Sequence, residues 1–197
     1  MDARLLYRFG MGTALRHPNG LVPVAAALTL ILAACTSPAP EPTPTSSPVA
    51  TPVFASDEEA LAAAEKAYAD YLAVSDEIAQ DGGADPERME TVAIGRGLKT
   101  AVDELREYQE RGVRSIGHTS FTASSLESVH QSGNVVEVRF YVCDDVSQVD
   151  VVDNTGKSIV QPGRPVKLPF QVTASADEAR LLVSERGFWE GVDYCAS

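Results

Sequence analysis

A change of period at Gly112 constrains this chain more than any other feature. Before it, apolar residues recur at helical spacing. After it, they alternate. The segment "SDEEALAAAEKAYADYLAVSDEIA" opens with Ser56-Asp57-Glu58-Glu59, a capping-box pattern. Leu61, Ala64, Tyr68, Tyr71 and Leu72 follow on one helical face, and the alanines favour the helix. "DGGAD" breaks it. Asp85-Pro86 reads as a cap followed by a proline at the first helical position, with a short helix through Met89 to Ala93. A third helix is predicted over Gly97 to Arg111, with Leu98, Val102, Leu105 and Tyr108 as its apolar stripe and Gly112 as its stop.

Beyond Gly112, "NVVEVRFYVCD" puts Val136, Val138, Phe140 and Val142 on one strand face. In "PVKLPFQVTAS", Val166, Leu168, Phe170 and Val172 face one way, and Pro169 predicts an edge or a bulge. "QVDVVDNTGKSIVQ" reads as two short strands about a turn at Asn154-Thr155-Gly156. "EARLLVSERGFWE" is the last strand, and residues 113–130 form a long, polar, bent one. Helices followed by antiparallel strands predict an α+β domain: three N-terminal helices on a curved antiparallel sheet. Residues 56–197, 142 in all, suit one domain of ordinary size.

The residues ahead of that domain supply an address. "MDARLLYRFGMGTALRHPNG" carries Arg4, Arg8 and Arg16 against one acid, Asp2, and Leu21 to Ala34 is apolar apart from Thr29. Together they read as a secretory signal peptide. The apolar run is about 14 residues where a spanning helix needs about 20, and Pro23 weakens it further. Leu32-Ala33-Ala34-Cys35 resembles a bacterial lipobox. That resemblance implies cleavage after Ala34 and a diacylglyceryl group on Cys35. Two or three acyl chains suffice for stable anchoring. Residues 1–34 are thus the expected signal peptide, and 35–55 the lipidated cysteine and tether. Thr36 to Ala55 holds six prolines and seven Ser/Thr in 20 positions, too polar to fold and extended enough to reach roughly 60 Å. Ser/Thr-Pro-rich stalks of this kind are often O-glycosylated.

Charge and cysteines agree with export. The chain carries −12. Without residues 1–35, which hold three Arg and one Asp, it has 13 basic and 27 acidic residues, or −14. That argues against nucleic acid as a partner and against a domain lying flat on anionic lipid. With Cys35 lipidated, Cys143 and Cys195 remain, and in an exported domain they are expected to form a disulfide stapling the tail to a strand. No metal-ligand spacing is present.

The Tyr-containing first helix, "LREYQERGVRSIGH", "YVCDDVS", "VVDNTG" and "FWEGVDYC" together resemble actinobacterial lipoproteins with a nuclear transport factor 2-like domain, the ketosteroid isomerase-like cone. Many members insert a strand hairpin before the third helix; none is legible between Ala79 and Leu98. In enzymes of that superfamily an acid inside the cone works as a general base beside a Tyr or Asp donor. The matching candidates are Asp144, Asp145, Glu137, His118, Tyr68 and Tyr141. Each has a plainer reading. Glu137 faces solvent near Arg139. Asp144 and Asp145 do turn chemistry at a strand end. Tyr68 and Tyr71 are core, and Trp189 covers the disulfide. His118 and His130 have no acid or thiol partner in sequence. "GRGLKT" lacks the spacing of a phosphate loop, and no catalytic triad or nucleotide fingerprint is present.

The sequence therefore names no catalytic residue, no metal and no cofactor. The expectation is a membrane-anchored extracytoplasmic lipoprotein that binds an envelope protein or an apolar small ligand. An accessory subunit of an envelope complex and a cone-pocket enzyme are the alternatives. A pocket, if present, should lie between Tyr68 and Tyr71 on the first helix and Phe140 and Phe170 on the sheet. An open cone with Asp144, Asp145 or His118 turned inward beside a tyrosine would mark an enzyme.

Overall fold

The computed structural model describes residues 54–132, 135–177, 180–192 and 194–195. The expected signal peptide (1–34), the lipidation site Cys35 and nearly all of the tether lie outside them.

Helix α1 runs Asp57–Gln80 and starts as the capping box predicts. Ser56 Oγ accepts from the Glu59 N–H at 3.2 Å, and Glu59 Oε2 reaches back to the Ala55 N–H at 2.8 Å. Its buried face begins with small residues, Ala60, Ala64 and Ala67, and ends with larger ones, Tyr68, Tyr71, Leu72 and Ile78. The expected short helix is a 3₁₀ turn at Pro86–Thr91, and Asp85 is not its side-chain cap. Asp85 sits in the left-handed region at φ 50° with no capping bond, because the preceding glycine turn forces the chain round before Pro86 fixes the next residue. Helix α2 spans Gly95–Arg111 and ends on Gly112, whose φ of 61° closes the last turn.

Among the described residues six strands follow: β1 Arg114–Ile116, β2 Ser120–Ser132, β3 Val135–Asp145, β4 Asp150–Val152, β5 Lys167–Asp177 and β6 Arg180–Phe188. Strands β2-β3-β5-β6 form one antiparallel sheet in that order, and β1 pairs with β4 in a two-stranded one. The architecture is α+β, with helices followed by a curved antiparallel sheet. The long polar strand expected over 113–130 is split into β1 and β2, and β2 carries two register shifts. Of the two strands expected about Asn154, only β4 forms; Ser158 contributes a single bridge to Val152.

Pro169 lies on an interior strand, not an edge, and no bulge falls at it. Its carbonyl accepts from the Trp189 N–H at 2.9 Å, so its missing N–H faces the chain just past the end of β6, where a ladder bond is least missed. The strand begins at Lys167, leaving Val166 outside it and exposed. Packed between sheet and helices, Val136, Val138, Phe140 and Val142 of β3, Phe170, Val172 and Ala174 of β5, and Val183 of β6 join the apolar faces of α1 and α2 in one core. The outer edge of β6 is stitched at Val183, which bonds both Val92 and Ile94.

Candidate functional site: a closed polar triad inside the cone

Alternation along β3 places every even residue from Val136 to Asp144 on the helix-facing side. Asp144 is therefore not a turn residue. It stands inside the sheet, opposite Phe121 of β2 and Leu168 of β5, and is fully buried. Tyr68, at the middle of α1, donates its hydroxyl to this carboxylate, at 3.0 Å from Oδ1 and 2.8 Å from Oδ2. Arg186 of β6 closes the ring: Nε donates to the Tyr68 oxygen at 2.9 Å, and Nη2 donates to Asp144 Oδ2 at 2.7 Å. The guanidinium carbon lies 3.4 Å from the centre of the Phe170 ring.

Aromatic rings seal the triad. Tyr68 stacks on Tyr71 (5.9 Å between centroids) and meets Phe121 and Phe140 edge to face at 4.9 and 6.2 Å. Phe188 meets Phe170 edge to face at 5.7 Å. Tyr68, Tyr71, Phe140 and Phe170, the four residues expected to line a pocket, are thus brought together, but in contact and buried. Among the described residues, no buried side-chain nitrogen or oxygen lacks a hydrogen-bond partner. A cavity of about 350 Å³ lies elsewhere, as an open groove between the 3₁₀ turn and α2, floored by Leu98 and Val102 and rimmed by charged side chains such as Glu87 and Arg106.

Electrostatics follow from this closure. Burial holds the Tyr68 phenol well above the usual tyrosine range, so it serves as a neutral donor. Burial also works against the Arg186 charge, yet the oxygens of Tyr68 and Asp144 keep its pKa well above the ordinary value. The arrangement is a satisfied, charge-paired network. A base in this position would need room for a substrate within about 3 Å, and it is the Tyr68 hydroxyl and the Arg186 guanidinium that stand against this carboxylate.

The other candidates are dispersed. Asp145 does the turn chemistry expected of it, accepting the Ser147 N–H at 2.9 Å and the Lys167 ammonium at 3.0 Å. The Ser147 side-chain and backbone hydrogen bonds, and then Lys167, bring its pKa down to about 2. Glu137 is exposed, opposite His130 in register; Arg139 bonds Thr173 instead. His118 does have an acid neighbour that sequence distance concealed: its Nδ1 is 3.9 Å from Asp76, across a loop that Asp76 ties down through Thr119. Its ring is exposed, and Gln80 Nε2 lies 3.4 Å from the same nitrogen. Tyr141 points to the outer face of the sheet, against Trp189 and Tyr194.

The expected disulfide is present. Cys143 and Cys195 are bonded, Cα–Cα 5.5 Å. The Tyr194 hydroxyl adds bonds to the carbonyls of Val142 and Phe170 at 3.1 and 2.8 Å, fastening the tail to the outside of β3 and β5. Burial, with neighbouring Tyr141, raises that phenol's pKa to about 12. Among the described residues, no helix is long and apolar enough to cross a membrane, and no group of three His, Cys, Asp or Glu could hold a metal ion.

No protein-family model matches the sequence, and no curated protein matches it. Solved structures do resemble its fold. The intermembrane space region of the chloroplast protein ARC6 is 17% identical, over 64% of this chain and 92% of that one, at a TM-score of 0.42. A protein of Catenulispora acidiphila solved in complex with S-DNPA is 22% identical over 65% and 90%, at 0.37. A chain named Rd1NTF2_05, with five substitutions, is 16% identical over 64% and 99%, at 0.30. At these scores the likenesses carry no argument about activity.

Proposed function

We propose that this chain is a lipid-anchored, extracytoplasmic module with a nuclear transport factor 2-like domain, and that it binds rather than catalyses. The observation that carries the reading is the closed triad: the acid inside the cone is paired with Arg186 and Tyr68. Recognition then belongs to the outside of the domain, toward an envelope protein or another envelope component, and not to an apolar ligand in the cone. The basic-apolar leader, the Leu32-Ala33-Ala34-Cys35 box and the Pro/Thr/Ser-rich spacer support anchorage through acylated Cys35. A disulfide between Cys143 and Cys195 suits an oxidising compartment. The acidic balance argues against nucleic acid.

Cross-linking of the full chain in its native membrane, followed by identification of what is captured, tests the reading. Specific envelope partners that are lost when Cys35→Ala releases the chain are the expected result. The Cys35→Ala chain fractionating with membranes as wild type does would overturn the anchorage. Turnover of any substrate that vanishes on Asp144→Asn would overturn the non-catalytic reading and favour the cone-pocket enzyme, the alternative that the Tyr68–Asp144 pairing itself brings forward.

A further inference from the structure

The β1–β4 end of the domain is remote from the point where the tether joins. That point is Phe54, just ahead of the Ser56 cap of α1. Helix α1 has 24 residues, a length of about 36 Å, and Gln80 in its last turn donates Nε2 to the Gly117 carbonyl at 2.8 Å. Gly117 follows β1, in which Arg114 pairs with Val152 of β4, and Val152 bridges in turn to Ser158. The backbones of Arg114 and Ser158 are thus two strand spacings apart, about 10 Å. Residues 153–166 make a long excursion between β4 and β5, and it is pinned in place. Arg164 Nη2 donates to the carbonyls of Val146 and Val149 at 3.0 and 2.5 Å, and the Ile159 N–H donates to the Val151 carbonyl at 2.9 Å. Loops of this length inside a compact domain commonly serve a function.

Charge sets this end apart. Residues 110–119 and 145–167 hold five basic and four acidic side chains, whereas the rest of the chain beyond Cys35 holds eight and 23. Three of the four acids are engaged. Asp145 accepts from the Ser147 N–H and Lys167, Asp150 from the Val151 N–H and the Ser158 hydroxyl, and Asp153 from Thr155 and the Lys157 N–H. The fourth, Glu110, is exposed beside Arg111. Arg111, Arg114 and Lys157 are exposed and make no ion pair among the described residues. By contrast, Lys66, Arg88, Arg96, Lys99 and Arg106 each hold a carboxylate. Two large apolar side chains are exposed at the same end: Ile116, opposite Asp150, at 40%, and Val166, whose carbonyl accepts from the Val146 N–H, at 42%.

From the unpaired Arg111, Arg114 and Lys157 beside exposed Ile116 and Val166, we propose that this end is a docking surface for an acidic segment of an envelope protein, with apolar side chains set among its carboxylates. Carboxylates of the partner meet guanidinium and ammonium groups that no acid of this chain already holds, and arginine takes a carboxylate in two parallel hydrogen bonds. The acidic first turn of α1 lies about 36 Å away, several screening lengths at physiological salt, so it does not cancel that attraction. Elsewhere the acidic surface repels the same segment, which fixes where it docks. Covering Ile116 and Val166 removes apolar area from water, which favours a protein chain over a phosphate polymer with no apolar side chains. The pinned loop is already ordered, so binding does not have to order it. The proposal rests on the binding reading above and gives it a surface and a partner chemistry; it does not depend on the lipid anchor.

The full chain, in a nonionic detergent, is titrated against a dye-labelled peptide of alternating glutamate and leucine, read by fluorescence anisotropy. Saturable binding is expected with a Kd below about 1 mM at low salt, weakening as salt rises. Arg114→Glu/Lys157→Glu should weaken binding at least about tenfold and leave the melting temperature unchanged, since both side chains are exposed and unpaired. Lys66→Glu/Lys99→Glu changes the net charge equally but breaks only surface pairs elsewhere, and should leave binding within about twofold. Arg111→Glu/Lys157→Glu takes the place of the first variant should that one not fold. No saturable binding, or equal losses from the reversals at the two places, overturns the proposal. Inorganic polyphosphate displacing the labelled peptide better than unlabelled peptide does would overturn the choice of a protein partner. A null titration beside an intact cross-link to an envelope protein removes this surface and leaves the binding reading in place.

Discussion

Replacing Arg186 tests the closed cone at its most exposed member. Arg186→Met keeps the length and the apolar contact with Phe170 but removes both donated hydrogen bonds and the positive charge. Asp144, whose side chain is 1% exposed, then keeps only the Tyr68 hydroxyl. Breaking a buried ion pair from one side costs about 3–5 kcal/mol, because the remaining charge is stranded. The Arg186 side chain is 17% exposed, so water can enter where the guanidinium leaves, which points to the lower end, about 3 kcal/mol. For a domain near 150 residues that is a fall in melting temperature of about 6–12 °C. Thermal unfolding followed by circular dichroism reads it. A second arm separates charge from packing. In Asp144→Asn/Arg186→Met no charge is stranded, so the double variant should be more stable than Arg186→Met alone. A single-variant loss below about 1 kcal/mol, or costs that simply add in the double variant, would refute the argument that the triad acts as one paired unit.

Cys195→Ser opens a loop of 52 residues, and the chain-entropy model gives a loss of about 4 kcal/mol; denaturant unfolding of the variant checks it, and wild-type stability would be the contrary result. Asp145 is expected to titrate near pH 2 by carboxyl NMR; since its folded pKa lies below the unfolded value of 3.8, its contribution is present above pH 4 and fades as pH falls toward 2. In Asp145→Asn that acid-limb dependence should shrink. Gly97 lies where an added Cβ would come within 2.8 Å of the Val183 carbonyl oxygen, so Gly97→Ala should push α2 off β6 and cost about 1–3 kcal/mol in chemical denaturation, despite the higher helix propensity of alanine.

Much of the fold is legible because local signals and tertiary packing agree. The capping box, the Gly112 stop and the alternation of β3 each specify their own element. Asp144 was within reach of the same logic. Extending Val136, Val138, Phe140, Val142 by one more step lands on it, but an acid next to a second acid at a strand end reads more naturally as turn chemistry, which only Asp145 performs. What decides the inward position is the partner, and the partner was hidden.

Strict alternation from Leu181 and Val183 would put residue 185 inside and Arg186 outside. A register shift between β5 and β6 reverses this: Ala174 pairs with Val183, Thr173 with Glu185, and Ser184 is the extra residue. Its hydroxyl bonds Ser175 and the Thr173 carbonyl, holding it on the outer side. From that point β6 shows its next residues on the opposite parity, and Arg186 turns inward to Asp144 while Gly187 turns outward to Gln171. One inserted residue thus sets the parity that brings the charge of Arg186 into the cone. Deleting Ser184 tests this. Val183 would stay opposite Ala174 and Glu185 opposite Thr173, so plain alternation would still carry Arg186 inward to Asp144, and thermal unfolding should find the deletion more stable than Arg186→Met. A deletion as destabilising as Arg186→Met would show that the pairing of β6 with β5 does not control the triad.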